Sequence, residues 1–128
     1  MTTGIIVFAH GSRIETANQA VRDAARDLSL TEGYALVEAA FLELGRPSLE
    51  EAADSLVSRG TGRIVIIPYF LTPGMHLERD LPVLVDRISS KHNGINVIVT
   101  PSLDGHPGLV QILAERARAA MVEPPALK

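Results

Sequence analysis

The stretch GIIVFAHGSR, residues 4–13, limits the fold more than any other part of the chain. Its first six residues form a continuous apolar run rich in β-branched side chains, and a polar turn begins at His10. A strand with one face in water alternates apolar and polar residues, whereas a continuous apolar run is typical of a strand covered on both faces. We therefore expect residues 4–9 to form a buried strand in a parallel sheet.

A helix is predicted to follow this strand, over residues 16–30. Apolar residues recur there at helical spacing, and arginine and aspartate occupy the opposite face. Residues 34–44 (YALVEAAFLEL) are also compatible with a helix, but their position between two helical segments favours a strand. Ser48 and Glu51 have the spacing of a capping box, which predicts a helix from there to about Arg59.

The second half of the chain continues the alternation. Residues 63–71 (RIVIIPYFL) contain a strand over 64–67, with Pro68 at its exit because proline has no N–H to donate. Pro82 is best tolerated in the first turn of a helix, so the next helix is predicted to begin near Arg79 or Asp80 and to end near Lys91. A fourth strand over 95–100 and a last helix over 108–121 complete the series.

Alternating strands and helices joined by short loops predict an α/β fold. We expect a single doubly wound, mostly parallel four-stranded sheet with helices on both faces. The chain has 128 residues, which suits one domain. We assign residues 1–122 to that domain and residues 123–128 to a flexible C-terminal tail.

Composition excludes several classes of partner and chemistry. The net charge is −3, with no long run of one sign, and aromatic residues make up only 4%, so nucleic-acid binding is not indicated. The absence of cysteine excludes disulfides and thiolate chemistry and fits a reducing cytoplasm. The N-terminal apolar run is too short to cross a membrane and lacks a basic leader, so we expect a cytoplasmic protein with no membrane partner.

Polar residues that could carry chemistry follow each of the first three strands. They are the His10-Gly11-Ser12-Arg13 turn, Glu43, and His76 in the segment Gly74-Met75-His76. Ligands of open parallel sheets bind beyond the carboxyl ends of the strands, where these three segments should meet. Imidazole and carboxylate are ligands for divalent iron, cobalt, nickel and zinc, so His10, Glu43 and His76 predict a metal site.

Each of these residues has a second interpretation. His10 could hydrogen-bond a loop carbonyl, and His76 could cap the following helix. Glu43 lies among apolar residues, where a buried carboxylate is costly without a partner. That cost favours a ligand or base, although Glu43 could instead pair with Arg46. Ser12 is a better candidate for a helix N-cap than for a nucleophile, because no base is evident beside it.

Two further histidines are assigned structural positions. His92 ends a predicted helix and is expected to be solvated there. His106 precedes a proline and is expected in a loop, although it follows a strand and could line the same pocket.

Taken in order, the motifs resemble those of the sirohydrochlorin chelatases of the CbiX type. They are HGSR (10–13), FLEL (41–44) with PSL (47–49), IPYFL (67–71) with Gly74-x-His76, DLP (80–82) and HP (106–107). The resemblance runs from about residue 4 to residue 115. The family's opening motif often has an acidic residue after the arginine, whereas this chain has Ile14 and then Glu15.

The resemblance implies a chelatase-type fold and an enzyme that inserts Co²⁺, Fe²⁺ or Ni²⁺ into sirohydrochlorin, a reduced tetrapyrrole of the siroheme and cobalamin routes. His10 and His76 would be metal ligands or proton acceptors, and Glu43 would help to handle the metal. The metal is then a substrate, and no permanently bound cofactor is expected. The substrate's carboxylates would bind Arg13, Arg46 and the helix N-terminus after Ser12.

The resemblance also bears on assembly. Long members of the superfamily resemble two such lobes facing each other across a cleft, so a one-lobed chain is expected to form a homodimer. Two other functions stay open from the sequence. One is a hydrolase with an activated metal-bound water at His10, Glu43 and His76. The other is a non-catalytic carrier of metal or tetrapyrrole.

Overall fold

The computed structural model describes residues 2–72 and 74–122, with the backbone alone at His76. The predicted tail, residues 123–128, lies outside the described residues. Strands and helices alternate throughout. In chain order they are β1 (Thr3–Ala9), α1 (Glu15–Glu32), β2 (Val37–Phe41), α2 (Leu49–Ser58), β3 (Arg63–Pro68), α3 (Met75–Lys91), β4 (Asn96–Val99) and α4 (Pro107–Val122).

The four strands form one parallel sheet in the order β2-β1-β3-β4. Within it, Ile5 of β1 lies between Val37 of β2 and Val65 of β3. The chain runs outward from β1 to β2 and then crosses back past β1 to β3, so the sheet is doubly wound as predicted. The loops after β1 and β3 therefore leave neighbouring strands in opposite directions, and this arrangement opens a crevice for a ligand.

The apolar run of β1 is buried because both faces of the sheet are covered. Ile6 and Phe8, both 0% exposed, belong to the core cluster that α2 and α3 complete. Val7 and Ala9 belong to the opposite cluster, which includes side chains of α1. Full burial of an isoleucine or phenylalanine side chain stabilises a fold by about 1.5–3 kcal/mol, so β1 anchors both layers.

The start of α3 differs from the prediction. The helix begins at Met75, not near Arg79 or Asp80, and Pro82 lies well inside it. Leu77 is only 5% exposed and packs on the same core cluster as Ile88, near the far end of the helix. Burial of Leu77 thus outweighs the backbone cost of the proline. Pro82 is exposed, so the carbonyl that loses its donor can be hydrated.

Most other elements match the predicted ones within a few residues. Residues 34–44 do contain a strand, and the capping box of Ser48 and Glu51 is present at the start of α2. Ser12, however, does not cap α1. The N-cap is Ile14, and the Ser12 hydroxyl accepts a hydrogen bond from the Ile14 N–H at 3.0 Å.

His92 is not the solvated residue that the sequence predicts. It caps the C-terminus of α3 with 17% of its side chain exposed, and its Nε2 lies 2.7 Å from Asp54 Oδ1. Lys91 Nζ lies 2.7 Å from the other oxygen of the same carboxylate. Asp54 belongs to α2, so this cluster connects the two helices that cover one face of the sheet.

The last helix, α4, buries none of its residues against the rest of the chain that the structure describes. It nevertheless carries exposed apolar side chains along its length, which are Val110, Ile112, Leu113, Met121 and Val122. Within the described ranges, no helix is both long and apolar enough to span a membrane.

Candidate metal centre

Hydrogen bonding between β1 and β2 continues past the ends of both strands and brings His10 beside Glu43. The Leu42 N–H donates to the Ala9 carbonyl at 2.9 Å, and the Glu43 N–H donates to the His10 carbonyl at 3.0 Å. His10 Nε2 then lies 3.8 Å from Glu43 Oε1. Two of the three predicted metal-site residues thus meet at the carboxyl edge of the sheet.

Both side chains face solvent, so the cost of a buried carboxylate, on which the interpretation of Glu43 as a ligand or base partly depended, does not arise. His10 is 57% exposed and Glu43 is 58% exposed at the side chain. Glu43 lies two residues beyond β2, where no helix covers it, and it pairs with His10 and not with Arg46. Nitrogen and oxygen ligands bind a tetrahedral ion at about 2.1 Å and so lie about 3.4 Å apart, close to the observed separation.

The turn after His10 requires glycine. Gly11 has φ of 98°, a region that side chains other than glycine rarely adopt. A Cβ atom on Gly11 would also overlap the backbone carbonyl oxygen of Glu43. Gly11 therefore lets the loops after β1 and β2 approach each other closely.

The loop after β3 provides an aromatic wall on the other side of His10. The Tyr69 N–H donates to the Phe8 carbonyl at 2.7 Å, which holds this loop against β1. The Phe70 ring then meets the His10 ring edge to face, with centroids 6.5 Å apart and an interplanar angle of 85°. From the sequence, Phe70 is only one member of the IPYFL motif, because its place beside His10 depends on the order of the strands.

His76 is the second residue of α3, after Gly74 as N-cap, and therefore lies on the helix instead of ahead of the start predicted near Arg79 or Asp80. Its side chain is outside the described residues, so its place in a three-ligand site stays a prediction. Among the described side chains, no three from histidine, cysteine, aspartate and glutamate lie close enough together to hold a metal ion. The described part of the site is the His10–Glu43 pair.

The two arginines predicted to bind substrate differ in their surroundings. Arg46 lies 2.5 Å from Glu51 of α2, with 83% of its side chain exposed. Arg13 is exposed and forms no ion pair with any residue that the structure describes. Of the two arginines, Arg13, three residues after His10 in sequence, is therefore the more readily available to an anionic ligand.

Exposed apolar side chains also occur at this edge of the sheet, where His10 and Glu43 lie. They belong to the loops that follow β1, β2 and β3 and to the first residue of α3. Large hydrophobic residues this exposed often mark a binding surface when they lie together. The exposed members of this apolar rim are Ile14, Leu44, Tyr69, Leu71 and Met75.

A groove of about 510 Å³ runs between α3 and the carboxyl ends of β3 and β4. Its lining is mostly apolar, with Leu77, Leu81 and Val85 among the contributors, but Glu78 and Asp86 also face it. Two carboxylates make this groove unsuitable for an anionic ligand. His106, which the sequence left as a possible pocket residue, is exposed, and its Nδ1 accepts a hydrogen bond from the Gly108 N–H at 2.9 Å.

Sequence reasoning also missed Asn18, which is 2% exposed and hydrogen-bonded to the loops on both sides of the site. The sequence nevertheless contains a pattern that could have identified Asn18. Asn18 falls on the same helical stripe as Val21 and Ala25, so it is a polar residue in a position that the pattern assigns to the core.

A model of the CbiX protein family matches residues 4–120. The chain belongs to the CbiX family. This membership confirms the resemblance seen in the motifs around His10, Glu43 and His76. The match to the family model covers nearly all of the residues that the structure describes.

Two relatives of this CbiX chain are similar over most of its length. The chloroplastic sirohydrochlorin ferrochelatase of Arabidopsis thaliana is 34% identical over 113 residues, which are 88% of this chain and 50% of the relative. The sirohydrochlorin cobaltochelatase of Sulfolobus acidocaldarius is 32% identical over 118 residues, 92% of each chain. The chain thus spans half the length of the first relative and nearly all of the second.

Solved structures share the fold of the chain. A CbiX protein of Marinobacter aquaeolei VT8, described under cobalamin biosynthesis, superposes with a TM-score of 0.80 at 24% identity, over 93% of this chain and 97% of its own. The sirohydrochlorin chelatase SirB of Bacillus subtilis subspecies spizizenii, solved with cobalt, has a TM-score of 0.84 at 24% identity. The match covers 92% of this chain and 50% of SirB, so the shared fold is that of half of the longer protein.

Proposed function

We propose that this chain is a metal chelatase that inserts a divalent ion into sirohydrochlorin. The observation that carries the proposal is the exposed His10–Glu43 pair, 3.8 Å apart at the carboxyl edge of a CbiX-family sheet. The proposed substrate is taken from the relatives named as sirohydrochlorin ferrochelatase and cobaltochelatase. His76, on the first turn of α3 after β3, is the proposed third member of the site.

The chemistry requires groups that can release a metal as well as bind it. Insertion replaces two pyrrole N–H hydrogens with one M²⁺ ion, so two protons must leave the macrocycle. A neutral imidazole binds a first-row ion and can afterwards accept a proton, because imidazole titrates near neutral pH. His10 can perform both roles in turn. Glu43 offers a carboxylate oxygen for the ion and a second site for a proton.

The surroundings of the pair suit a flat macrocycle with acidic side chains. The apolar rim can face the ring of the tetrapyrrole. The exposed Arg13, in the same turn as His10, can bind one of its carboxylates as a charge-assisted pair. Arg46 can contribute only by sharing its guanidinium with Glu51. The Ser12 hydroxyl accepts the Ile14 N–H and keeps its own hydrogen, which we propose it donates to a substrate carboxylate.

An anaerobic insertion assay tests this function. Purified chain with sirohydrochlorin and Co²⁺, Fe²⁺ or Ni²⁺ is expected to change the tetrapyrrole absorption spectrum well above the uncatalysed rate. His10→Ala and His76→Ala should each lower kcat by about 100-fold or more, within the usual contribution of acid–base groups, with unchanged circular dichroism. Glu43→Gln should lower kcat by a smaller factor. A spectrum that changes no faster with the chain than without it would refute the proposal.

The proposed cofactor requirement and location follow from the same chemistry. We propose that the divalent metal enters only as substrate and that Ni²⁺ is accepted beside Co²⁺ and Fe²⁺. We also propose a cytoplasmic site of action, since ferrous iron and a reduced tetrapyrrole persist best in a reducing compartment. Metal analysis of the purified chain should then find less than one equivalent of tightly bound ion.

We propose finally that the working form is a homodimer. The uncovered α4 supports this, because an apolar helix that buries no residue of its own needs a partner surface. The same chain also leaves Ile98 and Val99 of β4 about 40% exposed at the sheet edge. Two copies that each dock α4 on the other would bury both surfaces around a twofold axis.

A further inference from the structure

Asn18 of α1 is the buried polar residue nearest the proposed metal site. It is 2% exposed and uses its whole amide group. Its Oδ1 accepts the Ser12 N–H at 2.9 Å, and its Nδ2 donates to the Ser12 carbonyl at 2.8 Å and to the Leu44 carbonyl at 2.9 Å. With both amide hydrogens and the oxygen engaged, the side chain has a single orientation that satisfies every contact.

These bonds join two loops that are far apart in sequence. Ser12 follows His10 by two residues, and Leu44 is the residue after Glu43. Nearer their tips, the two loops are also joined by the Glu43 N–H to His10 carbonyl bond at 3.0 Å and by the His10–Glu43 side-chain pair. Asn18 thus connects the two loops from the protein interior, and the His10–Glu43 pair connects them at the surface.

The loop that Asn18 holds adopts a conformation that needs support. Leu44 has φ of 56°, a left-handed conformation that is unfavourable for a leucine. It is also the one non-glycine residue with positive φ in the described chain. The bond from Asn18 to the Leu44 carbonyl fixes the Leu44–Gly45 peptide, and so holds Leu44, the residue after Glu43, in this conformation. Gly45 packs against the same amide, since a Cβ there would lie 3.1 Å from Asn18 Nδ2.

We propose that Asn18 is a positioning residue of the chelatase site, which sets the separation of His10 and Glu43 through Ser12 and Leu44. The inference rests on the proposed function, because it assigns the metal to that pair. Asn18 touches neither metal nor substrate. Its loss would leave two carbonyls and one N–H without a buried partner, so the loops would separate to hydrate them.

The test compares Asn18→Ala and Asn18→Asp with Val21→Ala. Val21 lies one turn further along α1 and is 8% exposed, so its truncation weakens the helix packing without touching either loop. Asn18→Asp keeps the shape and the accepting oxygen but removes both donors. Co²⁺ affinity is measured with the metal alone by titration calorimetry, and kcat and KM are measured for insertion into sirohydrochlorin.

A positioning role predicts about 10- to 100-fold weaker Co²⁺ binding and a comparable fall in kcat for both Asn18 variants, as for other groups that orient metal ligands. The KM for sirohydrochlorin should change by less than about threefold. Val21→Ala should keep wild-type Co²⁺ affinity at temperatures below its own unfolding.

Three results would overturn the assignment. The first is wild-type Co²⁺ affinity and kcat in either Asn18 variant. The second is an equal loss of both in Val21→Ala. The third is failure of both Asn18 variants to fold while Val21→Ala folds. Failure of the proposed function is distinguishable from these outcomes. In that case the unaltered chain would show no insertion and His10→Ala would leave Co²⁺ binding unchanged.

Discussion

At the scale of single residues, the carboxyl end of β1 depends on close backbone contact between two loops. His10 and Glu43 are exposed, so solvent could separate their side chains if the backbone did not hold them near each other. Gly11 permits the contact, because its φ of 98° and its missing Cβ leave room for the Glu43 carbonyl. The geometry of the site is therefore decided by a residue that carries no chemistry.

Replacement of Gly11 should reveal this steric requirement. Gly11→Ala combines an unfavourable φ with an overlap at the Glu43 carbonyl, so we expect a loss of stability beyond the roughly 1–2 kcal/mol of the dihedral alone. Insertion activity should fall by at least tenfold as the loops separate. Urea unfolding and the anaerobic assay measure the two effects.

Gly33 offers a matched control for Gly11. It has φ of 72° at the C-cap of α1, and a Cβ there would meet no atom within 4 Å. Gly33→Ala should therefore show the dihedral cost without any loss of insertion activity. Equal losses of stability in the two variants, with normal insertion by Gly11→Ala, would contradict the steric account.

At the scale of elements, α2 and α3 are held together by a charged cluster in addition to their shared core. Asp54 of α2 accepts hydrogen bonds from Lys91 and contacts His92, both at the end of α3. The Lys91 hydrogen bond lowers the pKa of Asp54 below its ordinary value of 3.8, with a further contribution from His92. The same carboxylate raises the pKa of Lys91. Glu50 and Arg87 form a neighbouring pair across these helices.

The lowered pKa of Asp54 predicts how acid affects the α2–α3 contact. Because the folded pKa lies below the unfolded one, Asp54 contributes stability above about pH 4 and loses it as pH falls through the folded value. Asp54→Asn should therefore lower the free energy of unfolding at pH 7. The difference from wild type should disappear in strong acid.

Urea unfolding from pH 7 down to pH 2 measures this difference. Asp27→Asn is the control, because Asp27 is an exposed residue of α1 paired only with the neighbouring Arg26 among the described ion pairs. Exposed pairs of this kind contribute about 0–1 kcal/mol, so the control should follow the wild-type pH profile. A constant offset between Asp54→Asn and wild type at every pH would exclude the ionised carboxylate as the source of stability.

At the scale of the whole molecule, α4 is the helix that buries none of its residues in the described fold. Val110, Leu113 and Met121 fall within one apolar arc of the helix, while Gln111 lies on the other side with Glu115 and Arg118. Val110 is 66% exposed and Leu113 is 67% exposed, unusual values for the apolar side of an amphipathic helix. The proposed second copy covers this arc.

Light scattering coupled to size exclusion tests the dimer. The chain should elute with twice its 13.7 kDa mass at micromolar concentration. Leu113→Glu should shift it towards the single-chain mass, because a charge on the apolar arc must be desolvated at the interface. Gln111→Glu adds the same charge on the polar side and should leave the dimer intact. A single-chain mass for the unaltered protein, with and without sirohydrochlorin, would refute the dimer.

Across these scales, the sequence by itself determined the features that arise from neighbouring residues. The continuous apolar run of β1 indicates burial on both faces, and the spacing of Ser48 and Glu51 predicts the helix start, since both effects act within a few residues. The alternation of elements determined the sheet class. The position of His10 after the first strand made it a site candidate, and the motifs after the strands indicated the family.

Only the tertiary structure decided the features that depend on which elements become neighbours. Burial of Leu77 makes α3 begin at Met75, several residues before the start that Pro82 predicts. Core packing of Leu77 outweighs the preference of proline for the first turn of a helix. Strand order put Phe70 beside His10, and helix packing gave His92 a carboxylate partner 38 residues away in sequence. Glu43 became exposed, and Asn18 buried, for the same physical reason: solvent access depends on the whole set of contacts around a residue, which the sequence in its neighbourhood does not contain.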